Sequence, residues 1–479
     1  MAKFNSAVSN KTVNKEGHVA YKMTDKSKLV TQVLTSFINE SKFYGDNTEE
    51  MKKTIQKVVA SDPAFVSKLA VFARREFNMR SVAHVLTAYL AHEPAGKPFV
   101  RGTVNGVSLR GDDVTEIMAF YLATFGKPVP NALKKGISDV LNTFDEYTLA
   151  KYKGDGNAVK MRDLICICHP KPESKAQEEL YKRCLEGNLA IPETWETQLS
   201  AKGNKAEVWE KLIDDGKLNY MAALRNLRNL LSAKPKNLDK VLKKLADPVA
   251  VRKSKQLPFR FLSAYMSIAG IATSKVFDAL EDAVDAAVDN LPKIPGKTVV
   301  AIDVSGSMCT QISGKSDVRC DQLATMLGLI ANRICEDAVV YTFDTRIRKM
   351  DVSHRSGILY TTVHARAPGG GTDMDLPFEV MIRERIDADR LIILSDNMCN
   401  AGYSYWNNNT VQARADEYRR KTGNDIWVHA IDLMGYGTQQ FAGPKTNIIA
   451  GWSEKVLEFI NLAEQGEGTL ESKISNYSW

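Results

Sequence analysis

The chain has 479 residues, 44% of them hydrophobic, 25% charged and 8% aromatic, which is too long for one compact core and excludes a disordered, collagen-like or disulfide-dense chain. No uncharged apolar run approaches the roughly 18 to 20 residues of a membrane span; the longest, Phe261 to Ser274, is interrupted by Ser, Tyr, Gly and Thr. The net charge of +7 is unevenly spread: residues 1–300 hold 46 Lys and Arg against 34 Asp and Glu, net +12, while 301–479 hold 18 against 23, net −5, so a polyanion is expected on the first part and a cation or protein contact on the second.

The opening stretch MAKFNSAVSNKTVNKEG lacks the apolar core of a secretory signal, and a cytoplasmic protein is expected. From Lys28 to about Asn290 apolar residues recur at three and four, as in LVTQVLTSFI, FVSKLAVFARREF, VAHVLTAYLAH and YMAALRNLRNLL. This spacing predicts a succession of short helices. Prolines at 63, 94, 128, 130, 170, 172, 192, 235, 248 and 258 punctuate them. Serial helices without a strand signal point to an irregular α-solenoid over residues 1–295, with a compact bundle as the alternative. The seven cysteines, 166, 168, 184, 309, 320, 335 and 399, are an odd number in apolar or helical contexts and suit a reducing compartment. Cys166-x-Cys168-His169 lacks a second ligand pair, so two buried helix thiols are expected there rather than zinc.

At Leu291-Pro-Lys-Ile-Pro-Gly-Lys297 the texture changes. Strands are expected at TVVAIDVSGS, AVVYTFD, RLIILSD, IWVHAIDLM and TNIIAGW, alternating with helices from Cys320 to Cys335 and at LPFEVMIRERI, TVQARADEYRRK and EKVLEFINLAEQ. The fold class is thus α followed by α/β, with a doubly wound domain over 296–479 whose crevice lies at the carboxyl ends of its strands.

Three loops of that second domain collect oxygen donors: Asp303-Val-Ser305-Gly-Ser307, Gly369-Gly-Gly-Thr372-Asp373 and Ser395-Asp396. Carboxylates and hydroxyls without imidazole or thiolate suit a hard cation such as Mg²⁺. The arrangement resembles the von Willebrand factor A domain with its metal-ion-dependent adhesion site. By that resemblance Ser305, Ser307 and Thr372 hold the ion directly, and Asp303 and Asp396 hold its waters. The polar insert CTQISGKSDVR after Ser307 departs from the family pattern. Gly314-Lys315-Ser316 within it does not make a P-loop, because the first glycine of that motif would fall at Cys309. No hydrolase, zinc-protease or deaminase signature occurs, so the chain is expected not to be an enzyme.

The strings Phe72-Ala-Arg-Arg-Glu-Phe-Asn-Met79-Arg80, Arg162-Asp-Leu with His169-Pro-Lys171-Pro, Glu193-Thr-Trp195-Glu, Ala222-Ala-Leu-Arg225-Asn-Leu-Arg228-Asn and Gln256-Leu-Pro-Phe-Arg260 resemble the TROVE module of Ro ribonucleoproteins. The resemblance implies a monomeric ring of HEAT-like repeats joined to an A domain. It also implies small Y-like RNAs on a basic outer face, single-stranded RNA ends in the hole, a role in RNA quality control and, in a bacterial or phage setting, cooperation with a 3′-to-5′ exoribonuclease. From the residues alone, Lys151-Tyr-Lys153, Lys160, Arg162, His169 and Lys171 supply cations and an aromatic for phosphate contact and base stacking. Lys151 and His169 match the family's RNA-contacting segment best, while Gly154-Asp155-Gly156 stands where relatives carry another basic residue. Before Pro170, His169 alone is equally a helix-end cap. Arg74, Arg75 and Arg80 are weaker candidates for the ring interior. The alternative reading is a metal-dependent protein-interaction module on a helical scaffold without RNA.

Overall fold

The computed structural model describes residues 11–14, 17–35, 48–154, 156–256, 258–289, 291–313, 316–353, 355–365, 368–434, 438–442, 445–450, 454–464 and 470–479. Asp155, Leu257, Gly314 and Lys315, which figured in the motifs above, lie outside these residues.

Two compact units result. One comprises Thr24–Glu193 with Leu470–Trp479, and the other Met1–Met23 with Thr194–Thr469. The change from helix to sheet falls at Ile294, beside the expected boundary, but compactness divides the chain near residue 193, and each terminus belongs to the unit that holds little else of its half.

In the first unit the helices Pro63–Arg75, Ser81–His92 and Lys97–Val107 pack on one another, Asp113–Phe125 packs on Ser81–His92, and Asn131–Leu141 packs on Lys97–Val107. The Asp62-Pro63 pair that reads as a break is a helix start: Pro63 sits in the first turn, where its missing N–H costs nothing, and the Asp62 carboxylate accepts the Phe65 amide. The C-terminal helix Leu470–Ser475 packs on Pro63–Arg75, and beyond it Tyr477 sets its ring edge-on to Phe72 at 5.2 Å. A carboxylate organises the unit's interior. Asp113, fully buried, accepts from Arg74, Arg80 and His84 and from the amides of Leu109 and Arg110. Burial alone would raise its pKa, but the His84 hydrogen bond and charge together with Arg74 and Arg80 prevail and hold it far below the usual carboxylate range.

The second unit opens with strands β1 (Lys11–Val13) and β2 (Val19–Lys22). After the helices of residues 195–288 come β3 (Ile294–Asp303), the short hairpin β4 (Gln311–Ser313) and β5 (Ser316–Arg319), β6 (Cys335–Phe343), β7 (Ile347–Met350), β8 (Arg390–Ser395), β9 (Trp427–Asp432), β10 (Thr438–Gln439) and β11 (Thr446–Ala450). The main sheet has the order β11-β9-β8-β3-β6-β7, parallel except for the antiparallel edge β7. All five expected strands are in it. Alternate residues face opposite layers. Val299, Ala301, Leu391, Ile393, Val428 and Ala430 share a core with Phe378, Met381, Ala415 and Tyr418, from the helices Leu376–Arg383 and Val411–Thr422. On the other face lies Cys320–Ile334. It approaches so closely at Gly328 that an added Cβ would stand 2.7 Å from Ile302 Cγ1. The chain winds to one side of β3 with β6 and to the other with β8, so the carboxyl ends of β3 and β8 flank a topological switch point.

Candidate functional site

Asp303 ends β3 and Asp396 follows β8; with Ser305 and Thr372 they are almost completely buried. Hydrogen bonds tie the three donor loops pairwise. Ser395 Oγ donates to Asp303 Oδ2 at 2.6 Å, the Gly306 amide donates to the Gly370 carbonyl at 2.8 Å, and the Thr372 amide donates to Asn400 Oδ1 at 2.7 Å. Asp303 Oδ1 also takes the Ser305 amide at 2.9 Å, and the hydroxyls of Ser305 and Ser307 stand 3.3 Å apart. These bonds bring together the three loops that carry Asp303, Ser305, Ser307, Thr372 and Asp396.

Two buried carboxylates lie near each other here. Burial, then the Asp396 carboxylate nearby, push the Asp303 carboxyl well above its ordinary range, and Ser305 and Ser395 only partly oppose this. Asp373 is pushed up to about 7 by burial and by Asp375. A side chain at residue 402 would run into the Asp373 carboxylate, which explains Gly402 and its positive φ of 90°. Among the described residues no group of three or more His, Cys, Asp and Glu side chains is placed to hold a metal ion, so a cation here depends on the hydroxyls. That donor set, oxygen-only with two buried carboxylates, fits a small hard ion that keeps part of its water shell.

The basic residues lie in the first unit. Lys151 closes the helix Glu146–Lys151, its ammonium 3.4 Å from Tyr147 Oη and 5.5 and 5.6 Å from the ring centroids of Tyr147 and Tyr152. Arg110 stands 5.6 Å from the Tyr152 ring. The Met161 amide donates to the Lys153 carbonyl, which sets Lys153 against the start of the helix that carries Arg162. Lys160 caps the helix Met161–Cys168 at its start, and exposed Arg162 is 3.8 Å from Asp163. At the other end His169 is the C-cap, left-handed at φ 49°, so its backbone does serve as a cap while its side chain is exposed. Asn142 anchors exposed Lys171 through its carbonyl at 3.0 Å. Of the two thiols between, Cys168 is buried and pushed up to about 12 by desolvation, but Cys166 is exposed, contrary to the expected buried pair; its position faces outward because Leu164, Ile165 and Cys168 already fill the inner face. All seven cysteines are free thiols.

The arginines thought to face the ring interior are engaged elsewhere. Arg74 is buried on Asp113, and Arg80 pairs with Asp112 and Asp113 at 2.8 and 2.6 Å. Arg75 donates to the Gly106 carbonyl. Arg110 was missed in the sequence, since its contact with Tyr152 spans about forty residues and leaves no local periodicity, and Tyr147 was passed over although it stands four residues before Lys151 on the same helix.

A family model of the TROVE domain matches residues 12–189 and 186–276, and one of the Ro60 vWA domain matches 297–440. The RNA-binding protein RO60 of Deinococcus radiodurans is 24% identical over 471 residues, 86% of each chain. Rat telomerase protein component 1 is 28% identical over 335 residues, and the match takes up 51% of this chain but only 13% of that protein. The crystal structure of the Deinococcus radiodurans RO (RSR) protein superposes with a TM-score of 0.65 at 20% identity, covering 93% of this chain and all of the other, a likeness of fold.

Proposed function

Because the chain belongs to the TROVE-domain family of Ro proteins and carries that family's A domain, we propose that it is an RNA-binding ribonucleoprotein component without catalytic activity of its own. The observation that supports this best is the surface around Lys151, where Lys151 lies over the rings of Tyr147 and Tyr152 and Arg110, from another part of the helical unit, lies over Tyr152. Ammonium and guanidinium groups meet phosphates there, and an exposed ring such as Tyr147, 49% accessible, offers a base a stacking partner. Small structured Y-like RNA and single-stranded RNA ends are the proposed ligands, and RNA quality control in the cytoplasm, alongside a 3′-to-5′ exoribonuclease, is the proposed setting. Free thiols suit that compartment.

At the second site, Ser305, Ser307 and Thr372 would hold Mg²⁺, with Asp303 and Asp396 behind it; the ion would supply a Lewis-acidic point for an acidic group of a partner. A second reading, protein interaction through the A domain, draws on Tyr403 and Trp406, 54% and 76% exposed on the helix just after the third donor loop. The test is a titration of structured small RNA at salt concentrations between about 50 and 200 mM: affinity should fall steeply through counterion release, and a flat response would refute the RNA reading.

A further inference from the structure

Asn14, just after β1, and His18, just before β2, hold the third donor loop. Asn14 is 5% exposed and its Nδ2 donates to the Cys399 carbonyl at 2.9 Å, while its Oδ1 accepts the His18 amide at 2.9 Å. His18, 2% exposed, stacks on Tyr405 and bonds through Nδ1 to Gln440 Oε1 at 3.1 Å. Gln440 in turn donates from Nε2 to the Asn397 carbonyl at 2.9 Å. The two carbonyls gripped, Asn397 and Cys399, belong to the residues immediately after Asp396. The next residue, Asn400, accepts the Thr372 amide, and the Asn400 and Ala401 amides donate to the Thr372 carbonyl at 3.0 and 3.1 Å. Antiparallel pairing of β2 with both β1 and β10 holds the turn in place.

We propose that this N-terminal arm is a positioning element of the cation site: Asn14, His18 and Gln440 set the loop that carries Asp396 and, through Asn400, the loop that carries Thr372. The bonds by which the three act run to Cys399, His18 and Asn397 rather than to the donor side chains. Their effect is to fix where the oxygens stand, as the outer partners of metal ligands do elsewhere, where losing one costs about 10- to 100-fold in metal affinity. The inference rests on the cation reading of the crevice and is tested so that the two can fail separately.

The full chain is titrated with Mn²⁺ alone, free ion being followed by electron paramagnetic resonance, in the wild type, Asn14→Ala, Gln440→Met, the surface control Lys11→Ala and Asp303→Ala. Amide exchange at Met398, Asn400 and Ala401 is measured without metal. Asn14→Ala and Gln440→Met should each weaken Mn²⁺ binding by about tenfold or more in chains that circular dichroism shows to be folded at the assay temperature, and speed exchange at those amides roughly five- to tenfold. Lys11→Ala should change neither. Unaltered exchange and Mn²⁺ affinity in both arm variants, with binding lost in Asp303→Ala, overturns the arm's role and leaves the cation reading intact. A wild type that takes up no Mn²⁺ overturns the cation reading, and the inference with it.

Discussion

Replacing Asp113 by Ala should destabilise the first unit more than any other exposed-to-buried charge change in it. The carboxylate is fully buried and takes five donors, and Arg74 beside it has a side chain only 7% exposed. Without Asp113 that guanidinium stays in the interior unpaired, a loss of about 3–5 kcal/mol when one partner of a buried pair is removed. The amides of Leu109 and Arg110 lose their acceptor too, at about 1–3 kcal/mol for groups that water cannot reach. These costs overlap, so about 4 kcal/mol is expected, a large part of a typical domain's stability. With a urea slope of about 2 kcal/mol/M, the midpoint should drop by about 2 M. The assay is urea unfolding of the full chain by circular dichroism, with amide exchange over Pro63–Arg75 and Asp113–Phe125 to assign the transition to this unit. Asp139→Ala is the comparison: its partner Arg101 is 61% exposed, and such surface pairs contribute little, so its midpoint should barely move. Equal shifts for the two variants would refute the reasoning, because burial would then not decide the cost.

In the A domain, Gly328→Ala should cost about 1–3 kcal/mol, since the new methyl must push Ile302 off its rotamer in a packed layer; an unchanged thermal midpoint would contradict the close approach. Burial opposes ionisation of Glu464, but hydrogen bonds from His429 and Arg390 overcome it and bring the carboxyl down to about 2. At His429 burial outweighs Glu464 and lowers the pKa, so the imidazole is neutral near pH 7 and the ion pair is Arg390–Glu464. Because the folded pKa is depressed, the stabilisation of about 2–3 kcal/mol is complete above about pH 4.5 and is lost as pH falls toward 2. The gap in unfolding free energy between wild type and Glu464→Gln should therefore narrow from about pH 5 to pH 3, and a constant gap would exclude this pair as its source. Mg²⁺ or Mn²⁺ should raise the melting temperature of the wild type and leave Asp303→Ala unmoved, with equal shifts in both counting against the cation site.

The order of helices and all five parallel strands were legible because each rests on local periodicity, and the placing of Asp303 and Asp396 at adjacent strand ends followed from those strands. Contacts made across the chain were not legible. The turn residues Asn14 and His18 show no pattern in VNKEGHVAYK, and only the pairing of β2 with β10 reveals what they hold. β7 was missed because a four-residue edge, Ile347–Met350, is half polar and exposed in the middle. The basic segment was read as cations with one tyrosine; the structure adds Tyr147 from the same helix as Lys151 and Arg110 from farther along the chain, and shows that Arg80 is already committed to two carboxylates. The same compensation could not be seen at Arg74, since Asp113 is 39 residues away.

Gel-shift titration of a small RNA that combines a duplex with a free single-stranded end is the measurement that bears most directly on RNA binding by the helical unit. A variant with Lys151, Arg162, His169 and Lys171 all replaced by Ala should bind this RNA far more weakly and with a shallower salt dependence, because each lost phosphate contact removes one term of counterion release. Asp396→Ala should bind it as the wild type does, since its carboxylate lies in the acidic domain, where like charge disfavours RNA. A loss in Asp396→Ala as large as that in the quadruple variant would contradict this division and place the RNA contact on the A domain.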